Sequence, residues 1–252
     1  MILAYHRPNT LPEALQLLSR SEPPTLPLGG GTSLTRPTPE NIEVVDLQAL
    51  GMNKIHKHGN NLVIGATTSL QELLENVHAT PALRKALKLE APLGIRNTAT
   101  VAGTLVMADG RSTFTTVLLA LDAKLNVEGQ RSDSIALGEY LPLRADPPKG
   151  FLITGIEIPL NTELVFEAVA RTPADKPIVC AVLTRWPSGR TRLALGGFGA
   201  TPLLAMDGTE ADGAVSAAQN AFHEATDEWA GAEYRTQVAG KLASRCLQQL
   251  KK

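Results

Sequence analysis

The residues best placed for chemistry by type and spacing are Leu26-Pro27-Leu28-Gly29-Gly30-Gly31-Thr32-Ser33-Leu34. Three glycines between an apolar lead-in and a Thr-Ser pair allow backbone with φ > 0 and leave no Cβ in the way of a ligand. Successive N–H groups in such a turn can converge on one anion, as they do where bare backbone cradles a phosphate. A glycine triplet is also an ordinary tight turn after a strand, and these residues alone leave both readings open. The second informative stretch is Gly94-Ile95-Arg96-Asn97-Thr98-Ala99-Thr100-Val101-Ala102-Gly103-Thr104-Leu105, where small and β-branched residues lie between glycines that permit tight backbone. Other groupings offer less. His56 and His58 share a strand face but have no third ligand nearby in sequence, so a metal site is not expected. Cys180 and Cys246 are far apart and form no C-x-x-C motif, which argues against an iron–sulfur cluster or structural zinc held by this chain alone. No nucleophile and general base stand out, so no catalytic residue is assigned.

The elements that position these stretches follow from patterning. Thr10 and Glu13 form a capping box that starts a helix carrying Ala14, Leu15, Leu17 and Leu18 on its apolar side. Pro23-Pro24 closes that region, Thr25–Leu28 is a short strand, and the glycine triplet leaves its end. After a Pro-rich turn at 36–39, the β-branched run Ile42–Leu47 is a second buried strand, and strand, helix and strand at this spacing imply a small α/β unit with parallel pairing. A hairpin follows, turning at Gly59 and Asn60 and returning through Leu62–Ala66. Helices are expected from Thr68 or Ser69, over Pro81–Glu90, and over Thr115–Ala123, the last leading into a strand at Lys124–Val127. Leu152–Pro159, Leu164–Ala170, Ile178–Trp186 and Arg192–Phe198 read as strands, and from Asp207 onward helices return, the last over Ala232–Leu250. The expected fold is α+β: a small α/β part over about 1–57, a larger mixed part over 58–163, and an antiparallel sheet with helices over 164–252.

Composition bounds the partners. A chain of 252 residues can bury a core without disulfide staples, and 43% hydrophobic with 19% charged residues marks an ordinary globular protein. With 24 basic and 25 acidic residues and no long run of either sign, no field favours nucleic acid. No stretch approaches the roughly 20 apolar residues of a membrane span, and the N-terminus lacks the pattern of a secretion signal. A cytoplasmic protein is expected.

Residues 94–123 resemble the flavin-binding subunit of the molybdenum hydroxylases, the medium chain of the carbon monoxide dehydrogenase and xanthine dehydrogenase type. That family carries I-R-N-x-x-T-I-G-G-N-L-x-x-A-D-P, then an apolar helix ending A-L-D-A; here stand Ile95-Arg96-Asn97, Thr100-Val101-Ala102-Gly103-Thr104-Leu105, Ala108-Asp109-Gly110 and Ala120-Leu121-Asp122-Ala123. Gly29–Leu34 is similar to its A-G-G-T-D/S-L loop and Gly65-Ala66-Thr67-Thr68 to its G-A-x-T-T segment. Arg171–Asp175, Ala194-Leu195-Gly196-Gly197 with Thr201-Pro202, and Ala232-Glu233-Tyr234-Arg235 follow in the family's order. The resemblance implies FAD with its pyrophosphate on two glycine-rich loops, held by Gly29, Gly30, Gly31, Thr32, Ser33 and Leu34 on the first and Thr100, Ala102, Gly103, Thr104 and Asp109 at the second. It further implies electron transfer from an iron–sulfur subunit, in a complex with a large molybdopterin-binding subunit, to an external acceptor. Tyr140 and Phe151 are the aromatic candidates for contact with the flavin ring, with core packing as their other role.

Three departures set up an alternative. Ala102 replaces a glycine and Thr104 an asparagine, and Thr113 stands where the family has an aspartate that reaches the sugar-like part of the cofactor. Gly110 replaces a proline, and Arg111 adds a charge nearby. An alanine forced to φ > 0 would cost about 1 kcal/mol, and each lost hydrogen bond about 0.5–1.5 kcal/mol. On that reading the chain is a structural or assembly subunit of the same fold with weak or lost FAD. A different nucleotide or phosphate ligand on the same loops is a third reading.

Overall fold

The computed structural model describes residues 1–34, 41–129, 132–144 and 148–250; the turn expected at 36–39 lies outside them. In chain order the elements begin with β1 (Ile2–His6), α1 (Leu11–Leu18), β2 (Thr25–Leu28), β3 (Ile42–Asp46), β4 (Ile55–His58), β5 (Asn61–Gly65) and α2 (Leu70–Glu75). Then come α3 (Pro81–Glu90), α4 (Leu93–Arg96), α5 (Val101–Val106), α6 (Thr113–Ala120), β6 (Lys124–Glu128), β7 (Asp133–Ala136), α7 (Leu137–Leu143) and β8 (Leu152–Pro159). Strands β9 (Glu163–Val169), β10 (Val179–Arg185), β11 (Thr191–Gly196) and β12 (Leu203–Gly208) precede α8 (Ala214–Ala221) and α9 (Ala232–Leu250). The chain passes repeatedly between two units: residues 1–76, 93–107 and 124–157 form the first, and residues 77–92, 108–123 and 158–252 the second.

In the first unit β1, β3 and β2 form a parallel sheet in that order, with Tyr5 beside Val44 and Leu28 beside Asp46. α1 closes one face, burying Ala14, Leu17 and Leu18 against Val45, Leu47 and Leu152. Its N-cap is Thr10, which accepts from the Glu13 N–H, while the Glu13 carboxylate accepts from the Asn9 N–H, one residue outside the expected box. At α2 the box is complete: Ser69 and Glu72 exchange both bonds. β1 goes unread in the sequence because Ile2, Leu3 and Tyr5 are all exposed, so no apolar alternation marks it. A five-stranded sheet, β4-β5-β8-β6-β7, completes this unit's framework. β7 and α7 are likewise additions to the sequence reading, being four residues long and interrupted by Pro142 respectively.

The second unit is built on the antiparallel sheet β12-β11-β10-β9. Val179, Ala181, Leu183, Leu193 and Leu195 pack beneath α8 and α9 with Ala218, Phe222, Leu242 and Cys246. Cys180 and Gly196 face the other way, against Thr116 of the wholly buried α6. Helices on both faces explain why β10 and β11 read as unbroken apolar runs. The structure corrects the expectation that helices return at Asp207, which lies in β12; that edge strand exposes Leu203 and Leu204 and shifts register opposite Leu193 and Ala194, which hides its periodicity. Asp122, at φ 55°, turns the chain out of α6 and pairs with Arg190 at 2.9 Å and with Arg192.

Candidate functional site

A cleft of about 720 Å3 opens in the first unit at the carboxyl ends of the three parallel strands. Arg7 follows β1, Gly29 and Gly30 follow β2, and Gln48 follows β3; Thr67, Ser69, Thr98 and Thr100 line it from the segments around α2 and α5. Crevices at this end of a parallel sheet take ligands because the chain leaves the ladder there, and its N–H groups lose their strand partners.

The glycine triplet divides two tasks. Only Gly31 has positive φ, 71°. A Cβ on Gly29 would lie 2.7 Å from Thr100 Oγ1, and one on Gly30 would overlap the Thr98 carbonyl. Gly31 therefore turns the chain, while Gly29 and Gly30 let it close on residues 98–100. Thr32, Ser33 and Leu34 continue the turn, each partly buried. The 66–70 segment joins the same arrangement: Leu70 N–H donates to Ala99 O at 3.0 Å and Val101 N–H to Thr68 O at 2.9 Å. Among the described residues, the N–H groups of Gly29, Gly30 and Gly31 have no acceptor. At the second stretch the donors are engaged: Ala102 N–H binds Ala66 O at 3.2 Å and Gly103 N–H binds Thr100 Oγ1 at 3.2 Å.

That stretch is a helix rather than an open loop. Thr100 is its N-cap, and Ala102, Gly103 and Thr104 lie in α5, where none has positive φ. The strain that the sequence implies for Ala102 is therefore absent. Asp109 belongs to the second unit, where it accepts the Arg111 N–H at 3.0 Å and pairs with Lys176 at 3.4 Å. Thr113 is fully buried there, its hydroxyl 2.7 Å from Ala86 O. Gly110 donates to Gly199 O and accepts from Gly197 N–H, and a proline could make only the second of these bonds. Arg111 donates to the carbonyls of Lys176 and Pro177 and lies 4.3 Å from the Trp229 ring. Tyr140 and Phe151 stack on each other, centroids 5.8 Å apart, with Tyr140 buried. His56 and His58 are exposed on β4, and no metal-ligand cluster occurs among the described residues.

The charges around the cleft were not legible in the sequence. Arg7 is the one cation lining it among the described residues. Glu72 and Glu75 also line it, but their carboxylates accept from Ser69 N–H and Gln71 Nε2 at 2.7 and 2.6 Å. Asp46, at the end of β3, is buried; it accepts from the Tyr5 hydroxyl and from Gln48 N–H at 2.9 Å, and its Oδ2 is 3.5 Å from Arg7 Nε. The hydrogen bond to Asp46 holds the Tyr5 phenol above its usual pKa. A cation placed directly after a strand and before Pro8 is the signal that marks Arg7, and it is readable only once β1 is known.

Residues 1–161 match the family described as the FAD binding domain in molybdopterin dehydrogenase. The carbon monoxide dehydrogenase medium chain of Afipia carboxidovorans is 29% identical, the match covering 98% of this chain and 96% of that protein. The glyceraldehyde dehydrogenase medium chain of Sulfolobus acidocaldarius is 28% identical over 81% of this chain and 78% of that one. Among solved structures, reconstituted CO dehydrogenase from Oligotropha carboxidovorans superposes with a TM-score of 0.83 at 27% identity, covering 97% of this chain and 96% of its own. With the family matched over more than half its length, the chain belongs to the FAD-binding medium subunits of the molybdenum hydroxylase family of oxidoreductases.

Proposed function

We propose that this chain is the electron-transferring subunit of a cytoplasmic molybdenum hydroxylase, with its flavin domain in residues 1–163 and its FAD pyrophosphate on the Gly29–Leu34 turn. The observation that carries this reading is that the N–H groups of Gly29–Gly31 have no acceptor among the described residues, at the end of a parallel strand where Gly29 and Gly30 line the cleft. Such donors suit a charged acceptor, since several hydrogen bonds to an anion replace a single point charge. The residues present thus fit the diphosphate part of the cofactor. When bound, the flavin supplies the redox chemistry that the side chains of this chain lack. The polypeptide's part is to fix the cofactor and keep it against the two walls of the cleft.

The partners proposed are an iron–sulfur subunit that delivers electrons and a molybdopterin-binding large subunit that oxidises substrate. Relatives named as medium chains of dehydrogenases support an assembly of unlike subunits. Both cysteines are buried and free, which suits a reducing compartment, and among the described residues no helix is long and apolar enough to cross a membrane. The test is the visible spectrum of the purified full chain before and after FAD is added and the excess removed. Retention near one flavin per chain is expected; a folded chain that retains none overturns the reading. The alternative of a flavin-free structural subunit loses the backbone strain at Ala102 as a ground, because that residue is helical, and rests on the replacements at Thr104 and Thr113.

A further inference from the structure

We infer that Arg7 is the charged contact for the cofactor's diphosphate, and that Asp46 is the positioning residue that holds it; this rests on the FAD reading of the cleft. The guanidinium approaches Asp46 through Nε, at 3.5 Å, and its Nη groups make no hydrogen bond among the described residues. Asp46 does not need Arg7 for satisfaction, because it already accepts from Tyr5 and Gln48. The buried carboxylate instead faces the Nε edge of the guanidinium as an ion pair, and the Nη edge is unused among the described residues. Arg7 lines the same cleft as Gly29 and Gly30, whose N–H groups are also without acceptors among the described residues. Unused guanidinium and backbone donors in one cleft are the donor set that recognises a phosphoryl group, the fork by geometry and charge and the backbone by direction. An arginine tethered in advance loses less freedom on binding than a free surface side chain.

Arg7 is 56% exposed at its side chain, so its replacement leaves the core untouched. The experiment is a flavin-fluorescence titration of the full chain with FAD at low and high salt, using wild type, Arg7→Gln, Asp46→Asn and the double variant, each with its denaturation midpoint. Arg7→Gln is expected to weaken FAD about tenfold at low salt and to flatten the salt dependence, with an unchanged midpoint. Asp46→Asn should weaken FAD as well, and adding it to Arg7→Gln should bring no further loss of affinity, since both act through one guanidinium. Unchanged FAD affinity in Arg7→Gln, or a weaker affinity with the wild-type salt dependence, overturns the contact. Additive losses in the double variant overturn the positioning role of Asp46. Failure of wild type to bind FAD is a separate outcome, which removes the underlying reading.

Discussion

At Gly30 and Ala102 the same question has opposite answers. A Cβ on Gly30 meets the Thr98 carbonyl, which is backbone and cannot rotate away, so Gly30→Ala must push apart the two segments that line the cleft. The expected result is a loss of about 1–3 kcal/mol in stability, as for other overpacked sites, together with loss of retained flavin. Ala102 is helical, so restoring the family glycine relieves nothing. Ala102→Gly is expected to leave FAD affinity unchanged and to lower stability by about 0.5–1 kcal/mol through helix propensity. Urea denaturation and FAD titration of both variants test the pair, and tighter FAD binding in Ala102→Gly would contradict the helical placement. The triplet was legible because glycine has few reasons to recur. Which glycine turns the chain and which makes room was not legible, since that depends on Thr98 and Thr100, some seventy residues away. Arg7 was hidden for a simpler reason: next to an unread strand, it looks like any surface cation.

Helix α9 shows how an element carries more than its apolar stripe. The sequence places it over Ala232–Leu250 with Val238, Leu242, Cys246 and Leu250 on one apolar stripe; the last three are buried, and Val238 is partly buried against the same core. Its largest buried side chain, however, is Arg235, fully buried and donating to Ile178 O at 2.7 Å, Gly197 O at 2.5 Å and Asp227 at 2.6 Å. Gly197, at φ 123°, packs so closely on Ile178 that it has no room for a Cβ. The family's A-E-Y-R and A-L-G-G stretches are therefore halves of one structural joint in the second unit. Removing the arginine takes a charged donor from the carbonyls of Ile178 and Gly197 and leaves the Asp227 carboxylate with only the N–H groups of Trp229 and Ala230. Arg235→Ala is expected to cost about 3–5 kcal/mol, the range for breaking a buried ion pair from one side, and Arg235→Lys to recover only part of it because an ammonium lacks the fork. Denaturation midpoints of the two variants decide this. No periodicity argument reveals such a residue, because an arginine at an inward helix position reads as a break in the stripe until its partners are known.

The whole molecule was most legible through the order of its motifs and least through its division into units. Motif order runs along the chain and so survives in sequence, whereas residues 77–92 and 108–123 join the C-terminal sheet through contacts that only folding creates. Acid should act on the second unit through two of its carboxylates, Asp207 in β12 and Asp227 ahead of α9. Arg190 holds Asp207 below its ordinary pKa of 3.8, against a smaller opposing effect of burial. Burial pushes Asp227 upward, but the N–H groups of Trp229 and Ala230 and the Arg235 guanidinium together hold it below the same ordinary value. Because the folded pKa of each is depressed, its contribution is fully present above the unfolded value and is lost as pH falls through the folded one. Both residues are partly exposed, so solvent screening reduces the effect of each. Urea stability is expected to hold on acidification until about pH 4 and to fall below it. The Asp207→Asn, Asp227→Asn double variant should be weaker at neutral pH but lose less on acidification. Cys180 and Cys246 supply an independent readout, since burial pushes each thiol up to about 12 and keeps it protonated. Samples returned to neutral pH in urea should label at both thiols in step with the unfolding curve and at neither before it. An acid dependence as steep in the double variant as in wild type would place the sensitive carboxylates elsewhere.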